Sequence, residues 1–277
     1  MSLFKKRLKQ IDYSFVMGRL SDKIGGEFQH FPIEGWQKEL ELGKRYGFDG
    51  VEWIISDYSN PIFNKFFLKD IKKNLNKKKM KICSLALDLI MKEPLYKVKH
   101  ENLKWLIKKI LYIQNNFQIS RITVPIEETC RYRNQKEKYK SLKNLSFIIQ
   151  KLSPKSLISI ETDLSIKELK SIFKNKNFLK LGLLIDIGNL RALNRPLKTY
   201  FNLFSNRING IHIKYRVKNH GTSKNIPSKF NEMRILSKYF NKAPNLKDIT
   251  FQTYRSKRNY LYDMKTNIKG FNENFFK

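Results

Sequence analysis

Two cysteines in 277 residues, Cys83 and Cys130, are too few for a disulfide framework or a four-cysteine zinc site. No apolar run approaches the roughly 18 residues of a membrane span, so no membrane role is expected. The basic start, MSLFKKRLKQ, leads into no apolar signal-peptide core and no small-residue cleavage site, and a cytoplasmic protein is expected. No Pro/Gly/Ser-rich linker divides the chain. No Gly-rich phosphate loop follows the first strand-like run. Met17-Gly18-Arg19-Leu20 stands there, which speaks against an open doubly wound sheet. Acidic residues are scarce: 24 Asp+Glu against 56 Lys+Arg give a formal net charge of +32.

That charge has two readings. One is an electropositive surface that attracts phosphates or RNA. The other is a lysine-decorated, solvated surface. The basic residues comprise 43 Lys and only 13 Arg, whereas bidentate recognition of bases favours Arg. Asn, Ile, Phe and Tyr are also abundant, as AT-rich codons would produce. The solvated surface is therefore the expectation, and nucleic acid is not the expected partner. Hydrophobic content of 41% and aromatic content of 13% suffice for a sizeable core.

The apolar runs recur with a steady beat. They fall at Tyr13–Met17, Gly50–Ile55, Lys81–Leu87, Arg121–Ile126, Leu157–Glu161, Leu181–Ile185, Gly210–Lys214 and Ile249–Thr253. Most are near-continuous, as strands buried on both faces read. Helical stripes lie between them. Trp36, Leu40, Gly43 and Tyr46 share one face, with Gly47 placed to end the helix. Leu103, Ile107, Ile110 and Leu111 make another stripe. Ser165 and Glu168 form a capping box, flanked by Leu164 and Leu169 as a hydrophobic staple. Lys72–Lys81 reads as a helix end and its exposed turn. Eight strand–helix units predict an α/β fold, a single-domain (β/α)8 TIM barrel over 1–277, with the barrel proper at about 11–270.

Chemistry in such a barrel sits at the C-terminal ends of the strands. Strand two ends near Glu52, strand three near Asp88, and strand four near Glu127 and Glu128. Strands five to eight deliver Glu161, Asp186, His212 and Gln252 to one rim. Two carboxylates, an imidazole and an amide oxygen suit one divalent metal ion: Mn, Mg or Co. Taken singly, Asp186 could merely cap a helix and His212 could be a satisfied core histidine. Cys83 reads as a small core residue, Cys130 as a residue of an exposed polar loop, and His100 as an exposed residue ahead of a helix.

These residues resemble the xylose-isomerase-like barrels described as sugar phosphate isomerases/epimerases. The resemblance spans Gly18-Arg19-Leu20-Ser21, Phe28-Gln29-His30-Phe31-Pro32 with Trp36, and Gly47-Phe48-Asp49-Gly50-Val51-Glu52-Trp53-Ile54. It continues in Asp186-Ile187-Gly188-Asn189, His212-Ile213-Lys214-Tyr215-Arg216, and Gln252-Thr253 with Arg255. It implies one divalent ion held by Glu161, Asp186, His212 and the position of Gln252. Two positions depart from the family: Gln252 where a second Glu is usual, and Tyr215 where Asp is usual. A Gln cannot share proton transfer with Glu161, so a one-base route is left open.

The expected function is a metal-dependent isomerase or epimerase acting on a sugar or sugar phosphate through an enediolate. Glu161 is the expected base and Lys214 an acid or oxyanion partner. Glu52 is expected to hold a substrate hydroxyl. Arg216, Arg255 and the Gly221-Thr222-Ser223-Lys224 loop are candidates for an anionic tail. Two other classes compete. An abasic-site endonuclease on the same barrel would suit the charge but holds a three-metal, histidine-rich cluster, and this chain has four His in all. A non-catalytic carbohydrate-binding barrel would suit Gln252 and Tyr215. Nothing in the sequence excludes a homo-oligomer.

Overall fold

A computed structural model describes residues 11–23, 29–152, 154–256 and 259–276. The basic start and Phe28 of the resemblance lie outside the described residues.

The strands are β1 (Asp12–Val16), β2 (Gly50–Ile54), β3 (Lys81–Ala86), β4 (Arg121–Ile126), β5 (Leu157–Thr162), β6 (Leu181–Asp186), β7 (Ile208–Ile213), β8 (Tyr215–Arg216), β9 (Ser223–Lys224) and β10 (Asp248–Phe251). Eight of them close a parallel barrel in the order β1-β10-β7-β6-β5-β4-β3-β2. The other two, β8 and β9, pair antiparallel as a small hairpin that the sequence reading did not foresee. The helices are α1 (Trp36–Tyr46), α2 (Lys65–Lys78), α3 (Leu89–Lys92), α4 (His100–Asn116), α5 (Gln135–Leu152), α6 (Ile166–Lys174), α7 (Ile187–Ala192), α8 (Leu197–Phe204), α9 (Asn231–Tyr239) and α10 (Tyr260–Phe275).

Local signals act where the sequence puts them. Gly47 ends α1 in the left-handed region, φ 91°. The capping box of Ser165 and Glu168 starts α6 with both hydrogen bonds present. Ile, Val and Leu on the outward faces of the strands meet the apolar stripes of the helices. Trp36, Trp53, Phe48 and Phe251 fill that layer. Lysine stays outside: among the described residues Lys214 is the one buried lysine.

The inside of the barrel differs from its outer layer. Ser14, Glu52, Ser84, Arg121, Ser159, His212, Asp248 and Thr250 are all buried there. They touch across the lumen, so they point inward. Arg121 on β4 reaches Asp248 on β10 through Nε at 2.9 Å and Nη2 at 2.6 Å. The same Nη2 donates to Glu52 at 3.0 Å and Ser84 at 3.2 Å, and Nη1 donates to Thr123. Gly210 on β7 leaves the space this guanidinium occupies; a Cβ there would collide with Arg121 Nε. Burial alone would lower the proton affinity of Arg121, but Asp248 and Glu52 outweigh it and raise it. The guanidinium is thus fixed as a cation.

Candidate active site at the barrel mouth

A cavity of about 600 Å³ opens at the C-terminal ends of the strands. Its walls include Asp88, Glu127, Glu161, Lys214 and Gln252, each from a different strand end, together with Gln29 from the loop after β1.

Strand register assembles the core of the site. Asp186 is paired with His212 across β6 and β7. Asp186 Oδ1 accepts from the backbone N–H of Asn189 and caps α7 at 2.8 Å. Oδ2 is left facing the cavity side, 2.6 Å from Lys214 Nζ. Asp186 therefore both caps a helix and faces the site. Gly188 lets Lys214 approach; a Cβ would sit 2.9 Å from the Lys214 carbonyl oxygen.

His212 is held from two sides. Its Nε2 lies 2.8 Å from Glu52 Oε1 and its Nδ1 lies 3.3 Å from Glu161 Oε1. Burial would lower its proton affinity, but Glu52 and Glu161 raise it well above the ordinary value. Burial would also raise Glu52, but His212 and Arg121 hold it down at about 2. Ligand atoms of Glu161, Asp186 and His212 all lie within 4.8 Å of one another. Glu161 Oε1, Asp186 Oδ2 and His212 Nδ1 are buried, and their partners are ionic: Lys214 for Asp186, and each other for Glu161 and His212. Buried polar atoms are normally paired. Two carboxylate oxygens and an imidazole nitrogen that converge in this way fit a divalent cation, which would take the place of these ion pairs.

A polar chain fixes the orientation of Gln252. Arg19 Nη2 donates to Gln29 Oε1 at 2.8 Å, and Gln252 Nε2 donates to the same oxygen at 3.0 Å. Gln29 Nε2 then donates to Asp88 Oδ2 at 2.5 Å. At the other end Lys214 Nζ donates to Gln252 Oε1 at 2.8 Å. Arginine and lysine only donate. The amide oxygen of Gln252 is therefore turned toward Lys214, whose ammonium also holds Asp186.

Three sequence expectations are corrected. Glu52 does not line the cavity. It is wholly buried beneath His212 and engaged with His212, Ser84 and Arg121, so it cannot hold a substrate hydroxyl. Arg255 is not on the cavity wall either. Its Nη1 donates to the carbonyls of Gly18, Ser21 and Asp22 and fastens the loop after β1. Cys130 is buried rather than exposed, because its Sγ packs against Met91 Sδ and the Pro125 and Glu127 carbonyls. Arg216 does line the cavity, with Nη1 on Asn189 Oδ1 at 2.8 Å. The hairpin brings Gly221, Thr222 and Ser223 to the same wall, while Lys224 is exposed.

The sequence reading gave no role to Gln29, Asp88, Glu127, Asn189 or Arg121. Glu127 Oε2 accepts from Asn189 Nδ2 at 3.3 Å, and burial followed by Glu161 raises its proton affinity well above the ordinary range. Asp88 is pushed up to about 7, by burial first and by Glu161 and Glu52 next, against the lowering hydrogen bond from Gln29.

No family model and no curated protein sequence matches the chain. Solved structures do. An IolI protein with a bound zinc atom aligns with a TM-score of 0.72 at 12% identity, over 96% of this chain and 98% of that one. D-psicose 3-epimerase with D-tagatose from Clostridium cellulolyticum H10 gives 0.67 at 10% identity, over 96% of each chain. A xylose isomerase-like TIM barrel protein from Mycobacterium smegmatis in complex with magnesium gives 0.62 at 13%, over 95% and 97%. The chain has the fold of the xylose isomerase-like TIM barrels, as the sequence motifs imply.

Proposed function

We propose that the protein is a divalent-metal-dependent isomerase or epimerase of a sugar or sugar phosphate. One observation carries the reading: buried ligand atoms of two carboxylates and an imidazole, all within 4.8 Å of one another, at the floor of a sugar-sized cavity. The zinc and magnesium in two proteins of the same fold, and the epimerase activity of a third, support it.

Glu161, Asp186, His212 and the oxygen of Gln252 would hold the ion. Bound there, Mn, Mg or Co would supply Lewis-acid polarisation of a carbonyl. To act as a ligand, His212 would give up its Nδ1 proton and keep the Nε2 proton on Glu52, because an imidazole ligand is neutral. The Glu161 carboxylate would take the proton from the carbon next to the carbonyl. Lys214, fixed between Asp186 and Gln252, would donate to the oxygen that gains negative charge. Arg216, Thr222 and Ser223 would receive the polar or anionic tail.

The test is solvent-deuterium exchange into a panel of sugars and sugar phosphates, with each metal and with chelator. Uptake next to the carbonyl of at least one sugar, abolished by chelator and by Glu161→Gln, is expected. No uptake with any metal or sugar would refute the reading. One observation favours a second: the Lys214 ammonium already gives Asp186 and Gln252 a positive partner. A carbohydrate-binding barrel without catalysis would bind a sugar in chelator and exchange nothing.

A further inference from the structure

The proposed reaction leaves one step without a residue. Once Glu161 has taken a proton from one face of a carbon, inversion requires delivery of a proton to the other face. Gln252 cannot deliver it, since a carboxamide is not an acid near neutrality, and its nitrogen is committed to Gln29.

Asp88 has the placement and the chemistry. It follows β3, and β3 lies four strands from β7 in the ring of eight. The carboxyl therefore lines the cavity opposite His212 and Lys214, two strands round the ring from Glu161 on β5, so the two carboxyls reach the cavity from different sides. Its bland role would be to cap α3, yet its side chain makes no capping hydrogen bond. Instead Oδ2 takes a 2.5 Å hydrogen bond from Gln29, which Arg19 and Gln252 hold in turn. A carboxyl with a proton affinity near 7 is populated in both forms at neutral pH. A proton carrier needs both.

We propose that Asp88 is the second proton-transfer group of the site and that the protein is an epimerase, working on both faces of one carbon, rather than an aldose–ketose isomerase. This rests on the functional reading above. In one direction the Glu161 carboxylate removes the proton, the C–H bond breaks, and its electron pair passes to the carbonyl oxygen as the enediolate. The Asp88 acid then gives its proton to the same carbon from the opposite face as the pair returns. Glu161 ends as the acid and Asp88 as the carboxylate, and both re-equilibrate with solvent. The reverse direction begins with the Asp88 carboxylate.

The test is Asp88→Asn in the full-length, metal-loaded protein in D2O. Proton NMR follows exchange at the reacting carbon and formation of the epimer separately, with metal content and the circular dichroism spectrum as controls. Epimer formation is expected to fall at least about 100-fold, the usual worth of a positioned acid–base group. Exchange into the epimer that Glu161 deprotonates is expected to persist, and exchange into the other epimer to vanish. Asp88→Ser, a second removal variant, is expected to repeat the pattern, so misfolding of one variant does not decide the matter. Epimer formation at the wild-type rate in both variants overturns the role of Asp88 and leaves the functional reading standing. Wild-type protein that only interconverts an aldose and a ketose does the same. Wild-type protein that exchanges no proton in any sugar overturns both.

Discussion

Two buried charged clusters lie one above the other in the same barrel, and they are built on opposite principles. In the lower one Arg121 donates to Asp248, Glu52, Ser84 and Thr123, and Asp248 Oδ1 also accepts from Thr250 at 2.8 Å. The cation and both anions have partners. In the upper one Asp186 Oδ2 has only the Lys214 ammonium among the described residues, and Glu161 Oε1 and His212 Nδ1 face each other at 3.3 Å, at the foot of an open cavity. A buried charge locked in a closed hydrogen-bond network serves the fold; ion pairs that converge beside a cavity can be exchanged for a ligand. His212 joins the two, with Nε2 on Glu52 below and Nδ1 toward Glu161 above.

The largest expected effect breaks the lower cluster. Arg121→Ala leaves Asp248 as an uncompensated buried carboxylate and takes from Glu52 one of its two positive partners. Urea unfolding should show a loss of about 3–5 kcal/mol. Glu161→Gln in the upper cluster, compared under chelator, should shift the urea midpoint far less. Equal losses would remove the distinction between the clusters.

Glu52→Gln should show both effects at reduced size, because Glu52 belongs to both clusters. Leaving a buried partner of Arg121 and His212 poorly satisfied should cost about 1–3 kcal/mol. Loss of the carboxylate that orients His212 should weaken ion binding about 10–100-fold by chelator competition. An unchanged ion affinity would separate the clusters completely.

The smallest effect is a pH slope. Asp88 has an ordinary pKa of 3.8 and is held at about 7 in the fold. The folded state therefore binds its proton more tightly than the unfolded state. Its contribution lowers stability as pH rises from 3.8 toward 7, with no further change outside that window. Asp88→Asn should gain stability relative to wild type across that range under chelator. Glu39, also raised to about 7 by burial, acts alike in both proteins and cancels. A difference independent of pH would show that Asp88 is already ionised.

The barrel was legible because the strand runs are rich in Ile, Val, Leu and Phe and mostly near-continuous, as strands covered on both faces are. Glu161, Asp186, His212 and Gln252 could be placed on one rim because position at a strand end is itself a sequence coordinate. The lower cluster was not legible. Arg121 and Asp248 are 127 residues apart, and no local pattern announces the pairing. Glu52 looked like a rim residue, but it sits in the middle of β2, paired with Ser84, a layer below the strand ends that carry Asp88 and Glu161. Gln29 and Asp88 lie 59 residues apart and meet only in the closed barrel. A charged residue inside an apolar strand, as at Arg121, was the available signal for an inward-facing group.

The most direct measurement is elemental analysis of protein purified without chelator, beside Glu161→Gln prepared in the same way. About one divalent ion per chain in the wild type and none in the variant is the expected result for a site of this donor set. No ion in the wild type, or the same content in both, would contradict the claim that the open cluster at the barrel mouth is built to hold a cation.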